Sequence, residues 1–174
     1  MPKLDIKSKK ILDACCGGRT FWFDKANPDC LFVDKRVMKK QVIWRGKDGE
    51  TREFEVKPDA VMDFRSLVLP DNHFSLVVFD PPHLVKNGEN GWMGKKYGTL
   101  DRETWRDDLA LGFHECFRVL KPSGVLVFKW SEADIPLREV LNLTPERPLF
   151  GHPSGKQQGT HWVCFMKADG PANH

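Results

Sequence analysis

The chain has 174 residues, with 27 Lys and Arg against 24 Asp and Glu, a formal charge of +3, and 40% hydrophobic and 29% charged residues. That is the balance of one ordinary globular domain with a sizeable core, and it leaves no room for a full-sized second domain. No apolar run approaches the ~20 residues that span a bilayer. The opening MPKLDIKSKK has no apolar stretch behind it, so no secretory leader is expected and the cytoplasm is the expected location.

In chain order, Lys10–Cys16 reads as a short strand running into Gly17-Gly18, and Thr20–Asn27 as a helical turn or short helix. Asp29–Asp34 (DCLFVD) is a second strand ending on an acid. Lys35, Arg36, Lys39, Lys40, Arg45 and Lys47 follow with no acid among them, a run that suits phosphate contact or else a solvated face. Two alternating segments about Lys47-Asp48-Gly49 predict a hairpin insertion over 37–60. Ala60–Asp63 ends the next strand, and Phe74–Phe79 (FSLVVF) is another, stopped by Pro81-Pro82. Residues 84–99, with Gly88, Gly91, Gly94 and Gly98, read as a flexible substrate loop rather than a packed element. Asp101–Leu120 is the longest predicted helix, with Trp105, Leu109, Phe113, Cys116, Phe117 and Leu120 on one stripe. Val125–Trp130 is a further strand, Ile135–Leu143 a short helix, His161–Lys167 a final edge strand, and 168–174 a flexible tail.

Continuous apolar strands alternating with helices predict an α/β domain over 1–174, its mostly parallel sheet covered on both faces. Five cysteines (Cys15, Cys16, Cys30, Cys116, Cys164) are an odd number, sit mostly in apolar runs and form no CxxC pair. They are expected to be reduced and buried, with no metal bound.

In such sheets ligands bind beyond the carboxyl ends of the strands, and four strand ends here carry acids: Asp13, Asp34, Asp63 and Asp80. The glycines of Asp13-Ala14-Cys15-Cys16-Gly17-Gly18 let a ligand approach the backbone, although the GxGxxG of dinucleotide folds is missing. Asp34, about twenty residues on, is spaced to accept hydrogen bonds from ribose hydroxyls. The sharpest feature is Phe79-Asp80-Pro81-Pro82-His83. Two prolines stiffen the backbone after a buried strand and hold two acceptors, the Asp80 carboxylate and the Pro81 carbonyl, for an entering amino group. His83 offers a flat ring for a base to stack on. Lys86, Trp92, Lys95, Lys96 and Tyr97 combine cations with aromatics as strand-binding loops do. Lys129 is placed to touch phosphate or to pair with Asp80.

The order of these motifs resembles class I S-adenosylmethionine-dependent methyltransferases, in particular the amino-methyltransferases with (Asp/Asn)-Pro-Pro-aromatic after the fourth strand. The resemblance covers roughly residues 10–130. It implies a Rossmann-like domain with a seven-stranded, mostly parallel sheet, helices on both faces, and His161–Lys167 as the antiparallel edge. It implies S-adenosylmethionine as cofactor, held by Asp13, Ala14, Cys15, Gly17, Asp34, Lys35, Asp63, Phe64 and Asp80. Asp13, Cys15 and Gly17 match the loop near the methionine end, Asp34 the ribose acid, and Asp63 the residue meeting the adenine amino group, with Phe64 beside the ring. Asp80, Pro81, Pro82 and His83 match the catalytic motif. The chain departs from the pattern at Arg19, where the family often has glycine, and at His83, where Tyr, Phe or Trp is usual.

The expected activity is methyl transfer to an exocyclic amino group of a nucleic acid base, adenine foremost, with DNA or RNA as partner, no membrane and no metal. Whether the chain is a monomer or a dimer stays open. A glutamine amide or small-molecule amine as acceptor, and a non-catalytic nucleic-acid-binding module on the same fold, are the alternatives.

Overall fold

A computed structural model describes residues 5–85, 92–154 and 159–169, except the side chains of Trp92, Met93 and Lys95. In chain order the elements are β1 (Ile11–Asp13), β2 (Cys30–Asp34), β3 (Met38–Arg45), β4 (Thr51–Val56), β5 (Ala60–Val61), β6 (Phe74–Phe79), α1 (Trp92–Tyr97), α2 (Trp105–Val119), β7 (Leu120–Ser131), α3 (Leu137–Leu141), β8 (Phe150–Ser154) and β9 (Thr160–Met166). Seven strands form one sheet in the order β5-β2-β1-β6-β7-β9-β8. The first five run parallel, and β9 is antiparallel to both neighbours. The chain builds outward from β1 to β2 and β5, then returns through β6 on the other side. The carboxyl ends of β1 and β6 therefore flank the crevice where such sheets bind ligands.

The apolar stripe of α2 lies on β6 and β7. Phe113 meets Phe79 at 5.5 Å and Phe128 at 4.9 Å between ring centroids, and Trp105, Leu109, Cys116 and Phe117 are buried with them. This wall sits directly beneath the strand end that carries Asp80.

The second face is built differently from expectation, because no helix forms over Thr20–Asn27. Asp24 and Asn27 each accept a hydrogen bond from the backbone N–H two residues on, at 2.9 and 3.0 Å. Such local bonds compete with helix formation, and Pro28 follows. In place of a helix, Trp22 folds down on the small cluster of Cys16, Cys30, Phe32 and Ile11.

The hairpin forms as expected, as a separate two-stranded sheet of β3 and β4. Two boundary expectations fail. Residues 84–99 are not all loop, since α1 lies within them; 86–91 fall outside the described residues. β9 is not an edge strand: it is interior, and the edge is β8, whose FGHPS has neither alternation nor strand-forming residues beyond Phe150. Pro153 is tolerable there because an edge strand leaves one side without ladder partners. Of the expected tail, 170–174 lie outside the described residues.

Candidate active site

β6 delivers its buried run into Asp80-Pro81-Pro82-His83, and its parallel pairing with β7 (Phe79↔Phe128) brings the next residue, Lys129, beside Asp80. Lys129 Nζ donates to Asp80 Oδ2 at 2.7 Å. Burial pushes the Asp80 carboxyl above the usual carboxylate range, and the Lys129 ammonium pulls it back. Oδ1 carries no hydrogen bond among the described residues and is not sealed off, and Asp80 borders the crevice.

His83 does not present an open ring. It is 8% exposed, tilted against Tyr97 at 5.4 Å between centroids and edge-on to Trp130 at 6.3 Å. Burial, and then the nearby Lys129 charge, push its imidazole down to about 4, so it is neutral at pH 7. Tyr97 is held there by α1, which ends at Gly98 in the left-handed region (φ +76) with its N–H on the Gly94 carbonyl at 2.7 Å. A Cβ on Gly98 would stand 3.2 Å from Pro82 and 3.3 Å from Arg36, so glycine also allows α1 to lie this close to the motif.

Across the crevice, Gly17 (φ +47) donates its N–H to Asp34 Oδ2 at 3.0 Å. Asp34 also accepts the Arg36 backbone N–H at 2.9 Å and its Nε at 3.2 Å, which leaves the carboxylate fully engaged. Arg19 adopts the left-handed conformation that a glycine would take (φ +51). Its guanidinium lies 3.8 Å over the Phe32 ring and donates to the Lys25 and Lys57 carbonyls and to Asp59 at 2.6, 2.9 and 2.9 Å. These contacts offset the ~1–2 kcal/mol that a left-handed residue with a Cβ costs.

Two adjoining cavities of about 30 and 20 Å³ lie at the strand ends. The first is bordered by Cys15, Gly17, Asp80, Pro81, His83, Lys96 and Tyr97, and the second by Ala14, Cys15, Asp34, Lys35, Phe64, Asp80, Pro82 and Tyr97. Twelve of the residues singled out from the sequence thus meet in one place. Lys129 joins them through Asp80.

Asp13 and Asp63 do not. Asp13 is fully buried beneath the loop, accepting from Trp22 Nε1 at 2.7 Å and from the Cys15 N–H at 3.2 Å. Burial pushes its carboxyl up to about 7, against the opposing effect of these two bonds. Asp63 accepts Arg65 Nε at 3.0 Å and Nη2 at 2.6 Å, and Arg65 continues to Asp108 at 2.9 Å. Partial burial favours the neutral acid, but the Arg65 contacts outweigh it and hold Asp63 below the usual range. Lys86 lies outside the described residues, and so do the side chains of Trp92 and Lys95.

Sequence reasoning missed Arg36, which borders both cavities, and Phe21 and Phe54, which border the first. Arg36 stood in the basic run and was signalled only as a phosphate contact. Phe54 carried no signal of its own, because a hairpin pattern does not say what the hairpin packs on.

No family model matches the sequence, and no curated protein matches it. Among solved structures the chain is similar to a protein from Pyrococcus horikoshii (16% identical, TM-score 0.56, covering 92% of this chain and 82% of that one). It is also similar to a SAM-dependent methyltransferase from Methanosarcina mazei (11%, TM-score 0.52, covering 93% of each chain). A third likeness is to a TehB-like SAM-dependent methyltransferase from Corynebacterium glutamicum (14%, TM-score 0.51, covering 92% and 81%). The chain therefore has the Rossmann-like fold of class I SAM-dependent methyltransferases, and S-adenosylmethionine is the ligand against which the site is tested.

The donor chemistry fits it. Asp34 would offer a carboxylate to ribose hydroxyls once its Arg36 guanidinium contacts give way, Ala14 and Phe64 would offer apolar surface to a flat base, and Gly17 would let backbone come close. The space is closed down, since ligand pockets run to ~300–1,000 Å³. Arg36 and Tyr97 border both cavities, as do Cys15 and Asp80.

Proposed function

We propose that the chain is an S-adenosylmethionine-dependent methyltransferase acting on the exocyclic amino group of a nucleic acid base, adenine foremost. The observation that carries this reading is the state of Asp80: one oxygen anchored by Lys129 and the other without a partner among the described residues, on a side chain that borders the crevice at the end of a strand followed by two prolines. When bound, the cofactor supplies a methyl group already activated on a sulfonium, so the protein's work is alignment. Oδ1 accepts a hydrogen bond from the acceptor's amino group, which directs the nitrogen lone pair away from the conjugated ring. Lys129 keeps Asp80 available as a carboxylate despite burial, and burial leaves that carboxylate able to take the amine's proton as the new bond forms. His83, neutral and packed, adds no competing charge. Lys35 and Lys96 stand at the rim, where phosphates flanking a base would lie.

One observation favours the second reading, a glutamine amide or small-molecule amine. Part of the basic run is already neutralised, Lys40 by Glu53 at 2.7 Å and Arg36 by Asp34 at 3.2 Å. Incubation with methyl-labelled S-adenosylmethionine and separate DNA, RNA, protein and nucleotide pools decides between them. Label is expected in one nucleic-acid pool and is expected to fall about 10²–10⁴-fold with Asp80→Ala, while calorimetric cofactor binding survives. Label confined to protein or free amines, insensitive to salt, sinks the nucleic-acid reading.

A further inference from the structure

The ring expected to receive a stacked base is already packed away: His83 is 8% exposed, with Tyr97 and Trp130 against it. The open aromatic surface beside Asp80 lies on the opposite side. In the antiparallel pairing of β7 with β9, Lys129 faces Trp162, so the two side chains stand together on one face of the sheet. Phe21, from the loop after β1, reaches the same place. Lys129 Nζ is 2.7 Å from Asp80 Oδ2, 5.5 Å from the Phe21 ring centroid and 5.7 Å from that of Trp162. The two rings meet at 5.5 Å between centroids and 85° between planes.

We propose that Phe21 and Trp162 form the seat for the acceptor base, an aromatic corner that stacks a planar heterocycle and turns its amino group toward Asp80. This rests on the nucleobase reading above. Perpendicular rings give one wall for face-to-face stacking and one edge to meet the heterocycle's rim, both favourable arrangements for aromatic groups. Phe21 also stacks on Trp22 at 6.1 Å between centroids and 30° between planes, but neither ring of the pair belongs to the buried core. Both rings are only half-buried, on a face where the expected helix is missing, and Phe23 in the same loop is fully exposed. Phe21 also borders the cavity that holds Asp80, Pro81 and His83, so the corner opens onto the reacting carboxylate.

The test is binding, read separately from turnover. Fluorescein-labelled oligodeoxyadenylate and oligoriboadenylate are titrated by anisotropy into the full chain, beside an abasic oligonucleotide of equal length that keeps the phosphates and lacks the bases. Phe21→Leu and Trp162→Leu are expected to weaken adenylate binding about five- to hundred-fold, the range found when single stacking aromatics are removed. Abasic binding and calorimetric S-adenosylmethionine binding should not change, and Phe21→Tyr and Trp162→Phe, which keep a flat ring, should restore the affinity. Equal adenylate affinity in the leucine variants and the parent overturns the seat and leaves the nucleobase reading standing. Loss of S-adenosylmethionine binding in the folded Phe21→Leu protein also overturns it, assigning Phe21 to the cofactor. A parent that binds S-adenosylmethionine but does not distinguish adenylate from abasic strand sinks the nucleobase reading and the seat with it.

Discussion

Asp13→Asn tests whether the first strand's acid is an anchor of the loop or a ligand contact. Asp13 is fully buried, and burial pushes its carboxyl from 3.8 up to about 7. Between those values the folded protein holds a proton that the unfolded chain has released, so the stability due to Asp13 is complete below about pH 4 and is lost as pH rises through 7. At about 1.4 kcal/mol per pH unit, the loss reaches about 4 kcal/mol. Asparagine cannot ionise, and it keeps an oxygen for the Trp22 N–H. The unfolding free energy of the variant minus that of the parent should therefore rise by up to about 4 kcal/mol from pH 4 to pH 8, or roughly 8–16 °C in Tm for a chain of this size. His83, pushed down to about 4, acts in the opposite sense, adding stability as pH rises toward 6.5. It is present in both proteins and cancels in the difference; the charges of Asp80 and Asp34, which oppose ionisation of Asp13, are part of the effect that the asparagine removes. Urea unfolding followed by tryptophan fluorescence at half-unit pH steps measures the difference. A constant difference across pH 4–8 refutes the reasoning. Calorimetry on the same variant completes the assignment, since an anchor beneath the loop predicts retained S-adenosylmethionine binding.

Three further predictions concern the crevice. Lys129→Met removes the charge that opposes burial at Asp80, so the acid limb of kcat/KM against pH should move to higher pH; an unmoved limb means that Lys129 does not set the ionisation of Asp80. Arg36→Met removes the guanidinium contacts from the Asp34 carboxylate and leaves an acceptor site there, so S-adenosylmethionine should bind about ten-fold tighter by calorimetry, the worth of one hydrogen bond to a charged group. Weaker binding would make Arg36 a ligand contact instead. Gly18→Ala drives a Cβ into the Phe54 ring, an overpacking worth about 1–3 kcal/mol that should lower Tm by several degrees, and adding Phe54→Ala should relieve it.

The parts of the fold that were legible in the sequence are those with a strong local period. FSLVVF is β6 residue for residue, and the stripe of Trp105, Leu109, Phe113, Cys116 and Phe117 is the buried face of α2. The misses have physical causes. β8 hides because FGHPS gains its strand geometry from β9 alone, with no burial pattern to announce it. The helix expected over Thr20–Asn27 loses to Asx turns at Asp24 and Asn27 and to Trp22, whose indole is drawn down to Asp13 and Phe32. At the site, strand-end reasoning finds Asp34 and Asp80 because the strand's end is where the side chain sits. It cannot see that Asp63 is turned into an ion-pair chain with Arg65 and Asp108, since Asp108 lies 43 residues beyond Arg65. Nor does a linear run of six basic residues reveal that Arg36 turns back on Asp34 and Lys40 across to Glu53.

The missing helix after β1 also shifts how this site must handle charge. A helix starting there would aim its first N–H groups and the positive end of its dipole at a ligand held over the loop. Among the described residues no helix stands there, and the Gly17 N–H is committed to Asp34. Without that helix dipole, the charges that would meet an anion at the mouth are those of the cations bordering the cavities, Arg36, Lys35 and Lys96. Arg36 is engaged by Asp34, and Lys96 lies 4.8 Å over the Tyr97 ring on the helix that covers His83. Two of the groups that would meet an anionic ligand thus already carry contacts within the chain. Of the four strand-end carboxylates only Asp34 and Asp80 border the cavities, of about 30 and 20 Å³, while Asp13 and Asp63 are spent on Trp22 and Arg65.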